Sequence, residues 1–434
     1  GSEIRTPDLD RFPKEGSLFT NFHSTPLCSP TRADLLTGAD HHIVGVGALL
    51  APTLWYQKGE DYGGFNSKAR TVAEIFQDAG FHTYMTGKWH VSASGPERWG
   101  FEKAFYLRPD AGAANNFSAP PGKANSADEQ HFENGTAVTV PADFYSSDFY
   151  TRKLIGYIDD QRADGKPFFA YLAFQATHNP IQAPDDYLNR YRGVYDAGYE
   201  AIREQRINKQ KKLGLIPEDF KPSPGLPFYA VSPSNPMFLN LPWALLTQSA
   251  RRYEARQMEI YAGMLENMDH NIGLVLNYLR QTNEYDHTVI IFMSDNGPDG
   301  NGDLSPSGFL DNHLENYGRQ ASYVTRSVGW AEVSSAPFKG FKASVAEGGT
   351  SVPAIIRVPS PGFDHEMISG LASVLDIVPT VLALTRVPDP GTPYKGRDVA
   401  PLEGISLLPA LEGRDTNIRG PNDVLVDEMY DHRY

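Results

Sequence analysis

Across 434 residues the chain is 40% hydrophobic and 21% charged, with 39 glycines and 33 prolines, enough for one large domain or two to three ordinary ones and too apolar for a disordered or collagen-like chain. Its 39 lysines and arginines against 53 aspartates and glutamates leave a formal charge of -14, which argues against a broad polyanion-binding face, so nucleic acid is not an expected partner and an anionic ligand must meet a local cationic pocket. The lone cysteine, Cys28, excludes a disulfide scaffold while leaving the compartment open, and no apolar run approaches the ~18 residues of a membrane span.

In chain order, Gly1 to Asp10 reads like the middle of a domain, and Val424 to Tyr434 opens an apolar run that nothing follows, so both ends read as truncated. Leu27 leads into a helix from Cys28 that Gly38 closes. Thr71 to Gly80 sets a polar cap, a glutamate three residues on, apolar residues at helical spacing and a final glycine, which predicts a short amphipathic helix. Buried-strand patterns cover residues 81–86, 167–174 and 288–293, and apolar residues at three and four spacing over 256–281 predict the longest helix, a crossover between strands. Residues 202–212 form a basic helical run with the pattern of a solvated face. Residues 108–142 and 214–243, poor in pattern, read as long surface loops. With residues 48–66 they frame a mouth in which Trp55, Tyr56, Phe117 and Trp243 either stack a ligand or cover the sheet. Asn116-Phe-Ser and Asn134-Gly-Thr match a glycosylation tripeptide that is too frequent by chance to carry weight. Alternating helices and strands predict an α/β layered fold with a largely parallel sheet.

Chemistry concentrates at strand ends and at one helix start. Cys28 at a helix N-terminus meets free backbone N–H groups and the positive end of the helix dipole, which activate a nucleophile or hold an oxyanion; Arg32 lies one turn along the same face. Lys88 and His90 follow the first extended run two apart and point to one side if that run stays extended, one cationic and one titratable. His178 and the pair Asp295 and Asn296 also lie just past apolar runs, where open α/β sheets place their sites. Each alone reads more readily as a buried thiol, a solvated lysine, a capping histidine or a turn. Together they aim polar groups at one rim.

Cys28-Ser-Pro-Thr-Arg32 resembles the Cys-x-Pro-x-Arg signature of type I sulfatases, a spacing that chance gives a single cysteine about once in 250. Thr6-Pro-Asp-Leu-Asp-Arg-Phe12, Phe19-Thr-Asn-Phe-His23, Leu36-Thr-Gly-Ala-Asp-His-His42, Gly87-Lys-Trp-His90, Ala176-Thr-His-Asn-Pro180, Ser294-Asp-Asn-Gly297 and Lys342 before Gly348-Gly349 follow in family order. Over nearly its whole length the chain resembles the formylglycine-dependent arylsulfatases of the alkaline phosphatase superfamily, bacterial ones in particular.

The resemblance implies a three-layer α/β sandwich with a large, mostly parallel central sheet flanked by helices. Residues 1–420 would form the catalytic domain, lacking its expected first strand, and 421–434 the start of a small C-terminal subdomain. It implies hydrolysis of a small-molecule sulfate ester, an aryl sulfate foremost. A formylglycine-generating enzyme would convert Cys28 to Cα-formylglycine during maturation. One hydroxyl of the hydrated aldehyde would attack sulfur with His90 as base, and the second would collapse to the aldehyde and expel sulfate from the sulfated enzyme. Lys88, Lys342 and Arg32 would neutralise charge, while His178, with Lys342, would donate to the leaving oxygen. Asp295, Asn296 and residue 28 would hold Ca²⁺, or Mg²⁺ as in some relatives, with two further ligands from an Asp-Asp pair on a first, central strand that the sequence lacks. Phosphonate monoester hydrolases and phosphodiesterases of the same superfamily share this core. A noncatalytic relative that binds a sulfated ligand is the reading from another class.

Overall fold

The computed structural model describes residues 2–50, 61–112, 114–119, 130–224, 241–300, 311–360, 362–363, 367–415, 417–426, 428–429 and 432–433. Its strands are β1 (Ser17–Phe19), β2 (Phe22–His23), β3 (His82–Gly87), β4 (Lys103–Leu107), β5 (His131–Glu133), β6 (Thr136–Val138), β7 (Phe168–Ala173), β8 (Ile290–Met293), β9 (Ala354–Arg357), β10 (Met367–Ile368), β11 (Ala372–Ser373), β12 (Glu428–Met429) and β13 (His432–Arg433). The helices are α1 (Pro7–Arg11), α2 (Cys28–Thr37), α3 (Val72–Asp78), α4 (Ser146–Gln161), α5 (Asp185–Leu188), α6 (Tyr199–Lys212), α7 (Gln248–Gln281), α8 (Val328–Ser334), α9 (Glu347–Thr350), α10 (Ile377–Thr385) and α11 (Leu408–Leu411).

The period-2 alternation of β3 builds the layers. Tyr84 points into a cluster with Phe105, Tyr150 and Tyr157 beneath α4, and Met85 into one with Leu36, Phe76, Trp89 and Phe101 beneath α2 and α3. Helices on both faces of a sheet give the expected α/β sandwich. Five strands pair in the order β6-β5-β4-β3-β7, with β3 parallel to β4 and β7, and four pair in the order β10-β1-β9-β8, where only β1 and β10 are parallel. The sheet is therefore in two parts. β7 and β8 end these parts, and both border a cavity of about 1480 Å³ with Phe168, Leu172, Leu276, Ile290 and Phe292 in its walls. Hence these two strands, expected to be buried, are largely half-buried.

Local signals explain most elements. A capping box starts α3: Thr71 Oγ1 accepts from Glu74 N at 3.1 Å and Glu74 Oε2 from Thr71 N at 3.0 Å. The long helix begins at Gln248 instead of residue 256, because Thr247 caps a polar lead-in that the apolar pattern does not mark. Part of the stretch read as loop over 108–142 is a hairpin: β5 and β6 pair with Glu133 opposite Thr136, and Asn134 and Gly135 close it at φ 49° and 81°. Positive φ at both positions is what a tight two-residue hairpin turn demands, and Asn-Gly supplies it.

Three surface readings change. The basic run lies in α6, but Ile202, Arg206 and Ile207 are buried and Arg206 pairs with Glu3 at 2.6 Å, so only part of that helix is solvated. Trp243 packs inside against Tyr199 and Trp330, with ring centroids 5.1 and 6.0 Å away, so it lines no mouth. Asn116 of the first tripeptide is fully buried. Phe117 is half-buried against Tyr145 at 5.0 Å, while Trp55 and Tyr56 lie outside the described residues. Among the described residues no helix is long and apolar enough to cross a membrane.

Candidate active site

Cys28 is the first residue of α2, and Gly38 closes that helix at φ 65°, as the sequence predicts. Thr25 Oγ1 contacts Thr31 Oγ1 at 2.8 Å and Leu27 N at 3.4 Å, which braces the turn into the helix. Arg32 is buried one turn on. Its guanidinium grips Asp295 Oδ2 through Nε and Nη2 at 3.1 and 2.7 Å and donates from Nη1 to Lys88 O at 2.9 Å and Tyr171 OH at 3.1 Å. Arg32 thus ties α2 to the ends of β3, β7 and β8. Tyr171, which holds it from β7, carried no signal in the sequence.

Lys88 and His90 reach Cys28, but not by strand alternation. β3 ends at Gly87, which has φ 108°, and His90 itself has φ 58°, so the chain turns sharply between them. Gly87 is needed there: a Cβ would lie 1.9 Å from Ala173 O on β7. Both side chains are buried. Burial lowers the Lys88 pKa, partly offset by the neighbouring Cys28. Burial and then the Lys88 charge push His90 down to about 4, so its imidazole is neutral near pH 7.

From β7 and the loop after α8 come His178 and Lys342, whose Nε2 and Nζ are 2.7 Å apart. Lys342 Nζ also donates to Asp299 Oδ2 at 3.1 Å. Burial works against the Lys342 charge, but Cys28 and Asp299 outweigh it and raise its pKa. The Cys28 thiol is held well below its ordinary value: burial alone would raise it, but the charges of Lys342 and Lys88 and hydrogen bonding with His178 and His90 outweigh burial. Two cations and two imidazoles facing one buried atom are a cradle for an anion and for an activated nucleophile. All eight predicted residues come together here.

Asn296 donates from Nδ2 to Gly297 O at 2.8 Å, and its Oδ1 is buried with no hydrogen-bond partner. An orphaned amide oxygen beside the Asp295 carboxylate fits a hard cation such as Ca²⁺, as part of its ligand set. Among the described residues, Asp40, His41 and His42 also bring three possible ligand atoms within 4.8 Å, but they lie beyond the other end of α2 and include two imidazoles.

A family model for sulfatases matches residues 1–387. The chain belongs to the sulfatase family. An arylsulfatase of Klebsiella aerogenes is 32% identical over 426 residues, covering 94% of this chain and 87% of that protein. An uncharacterized sulfatase of Schizosaccharomyces pombe is 39% identical over 424 residues, covering 92% and 74%. Among solved structures, Ps i-CgsB in complex with a neocarrahexaose superposes with a TM-score of 0.63 at 21% identity over 96% of this sulfatase and 72% of that chain. A phosphonate monoester hydrolase of Silicibacter pomeroyi gives 0.56 at 18% identity, over 97% and 74%, and likewise shows the fold alone. The family makes sulfuric ester hydrolysis the reaction class of this sulfatase, and calcium and formylglycine are typical of the family.

Proposed function

We propose that this sulfatase hydrolyses aryl sulfates by way of formylglycine at position 28, supported above all by the convergence of Lys88, His90, His178 and Lys342 on that residue. When present, the hydrated aldehyde would supply one hydroxyl to take up the sulfuryl group and a second whose deprotonation expels sulfate, and Ca²⁺ on Asp295 and Asn296 would act as the Lewis acid. His90, kept neutral by burial and by Lys88, faces residue 28 and removes the proton from the attacking oxygen. Lys88 and Lys342 balance the negative charge that builds there. His178 and Lys342 attend the leaving oxygen. Arg32 holds the Asp295 carboxylate in place.

The slot between β7 and β8 supports the expectation of a further central strand, since the carboxyl ends of both neighbours lead to the site and their facing edges line an apolar cavity. A boundary near residue 420, with β12 and β13 opening a C-terminal subdomain, belongs to the same reading.

The test is the mass of the Cys28 peptide from protein made with the formylglycine-generating enzyme, alongside turnover of 4-nitrophenyl sulfate and of a phenyl phosphonate ester. An aldehyde with faster sulfate turnover is expected. An unmodified thiol overturns the mechanism, and preferred phosphonate turnover overturns the substrate.

A further inference from the structure

We propose that Asp299 is a positioning residue for departure of the leaving group, anchoring the Lys342 ammonium beside His178 so that Lys342 presents a proton to the leaving oxygen; this rests on the sulfate ester reading above. Asp299 lies one turn of chain beyond the Asp295 and Asn296 pair, in a Gly- and Pro-rich segment.

Its place is set from behind. The Asp299 backbone carbonyl accepts from Arg326 Nε and Nη2 at 3.1 and 3.0 Å. Arg326 lies over the Tyr261 ring of α7 at 4.0 Å and donates from Nη1 to Ser334 Oγ of α8 at 3.1 Å. Arg326 and the two helices it touches therefore hold the Asp299 main chain, and the carboxylate Oδ2 lies 3.1 Å from Lys342 Nζ and 3.6 Å from His178 Nε2. The Lys342 backbone N–H donates to Pro298 O at 3.1 Å, which keeps the two segments in register.

The hydrogen bonds then assign the protons. His178 Nδ1 is 2.9 Å from Asn179 O, which can only accept, so Nδ1 carries hydrogen and Nε2 receives an N–H of Lys342. One Lys342 N–H goes to Asp299 and one to His178, which leaves the third for the substrate. As the S–O bond breaks, the leaving oxygen keeps the bonding pair and takes the proton of that third N–H. The neutral amine left behind takes a proton from water once the product has departed. Without a carboxylate, an ammonium buried beside other cations tends to release its proton to solvent before the ester is cleaved.

Asp299→Asn and Asp299→Glu are compared with the wild type on sulfates of 4-nitrophenol, phenol and an alkyl alcohol, each as kcat and KM. The expected result for Asp299→Asn is a fall in kcat at nearly constant KM, small for 4-nitrophenol and at least roughly tenfold larger for the poorer leaving groups, with partial recovery in Asp299→Glu. The ratio between substrates does not depend on how much of a variant folds. An equal loss on all three substrates, or none, overturns the proposal. A wild type with converted Cys28 that turns over no sulfate ester overturns the sulfate reading instead, and this inference with it.

Discussion

Lys88 and His90 come to position 28 from the end of β3, whereas Lys342 and His178 come from the loop after α8 and the end of β7. Both lysines are buried, yet burial lowers the pKa of one while Cys28 and Asp299 raise that of the other. The carboxylate beside Lys342 and the Arg32 charge beside Lys88 contribute to the difference. A neutral imidazole beside a poorly compensated lysine suits proton removal from the nucleophile, and an anchored ammonium suits donation to the leaving group. In the proposed mechanism, two pairs of the same residue types would thus take opposite tasks through their neighbours.

The largest expected effect removes the atom that both pairs face: Cys28→Ala lowers turnover of 4-nitrophenyl sulfate by at least about four orders of magnitude, and a smaller loss would remove residue 28 from the chemistry. His90→Asn is expected to lower kcat/KM by roughly 100- to 10,000-fold and by the same factor for good and poor leaving groups. His178→Asn is expected to lose more on phenyl than on 4-nitrophenyl sulfate. Identical profiles for the two variants would erase the division of labour.

Gly87→Ala probes what brings the first pair into place. A Cβ there meets Ala173 O, and φ 108° suits glycine, so thermal unfolding is expected to register a loss on the order of 2–3 kcal/mol. The smallest effect is expected at the other end of the same strand. His82 bonds Glu102 through Nδ1 at 2.7 Å and Asp164 through Nε2 at 2.9 Å, and although burial opposes its charge, the two carboxylates raise its pKa. Its stabilisation is therefore fully present below the unfolded histidine value of about 6.5 and is lost as pH rises through the higher folded value. His82→Gln is expected to lower Tm slightly at pH 6 and to converge with the wild type at alkaline pH, and a constant gap would mean that packing, not charge, is lost.

Much of the site was legible because its residues sit in short, spaced motifs: Cys28 four before Arg32, Lys88 two before His90, Asp295 next to Asn296. The helix after Thr71 was legible for the same reason, since a capping box is complete within four residues. The hairpin at 131–138 is hidden in the average composition of a long stretch, because its deciding signal is the single pair Asn134-Gly135. Trp243 could not be assigned from its neighbours in sequence, because Tyr199 and Trp330 lie 44 positions before and 87 after it.

By itself the sequence determined which groups were available, their order, the helix start under Cys28 and the family they belong to. Only the tertiary structure decided that Arg32 grips Asp295, that a left-handed turn after Gly87 swings His90 onto residue 28, and that Asp299 pairs with Lys342 and no described carboxylate pairs with Lys88. The physical reason is range. Caps, turns and motif spacing act within a few residues, whereas the charge state of a buried group is set by neighbours that the fold brings from far along the chain.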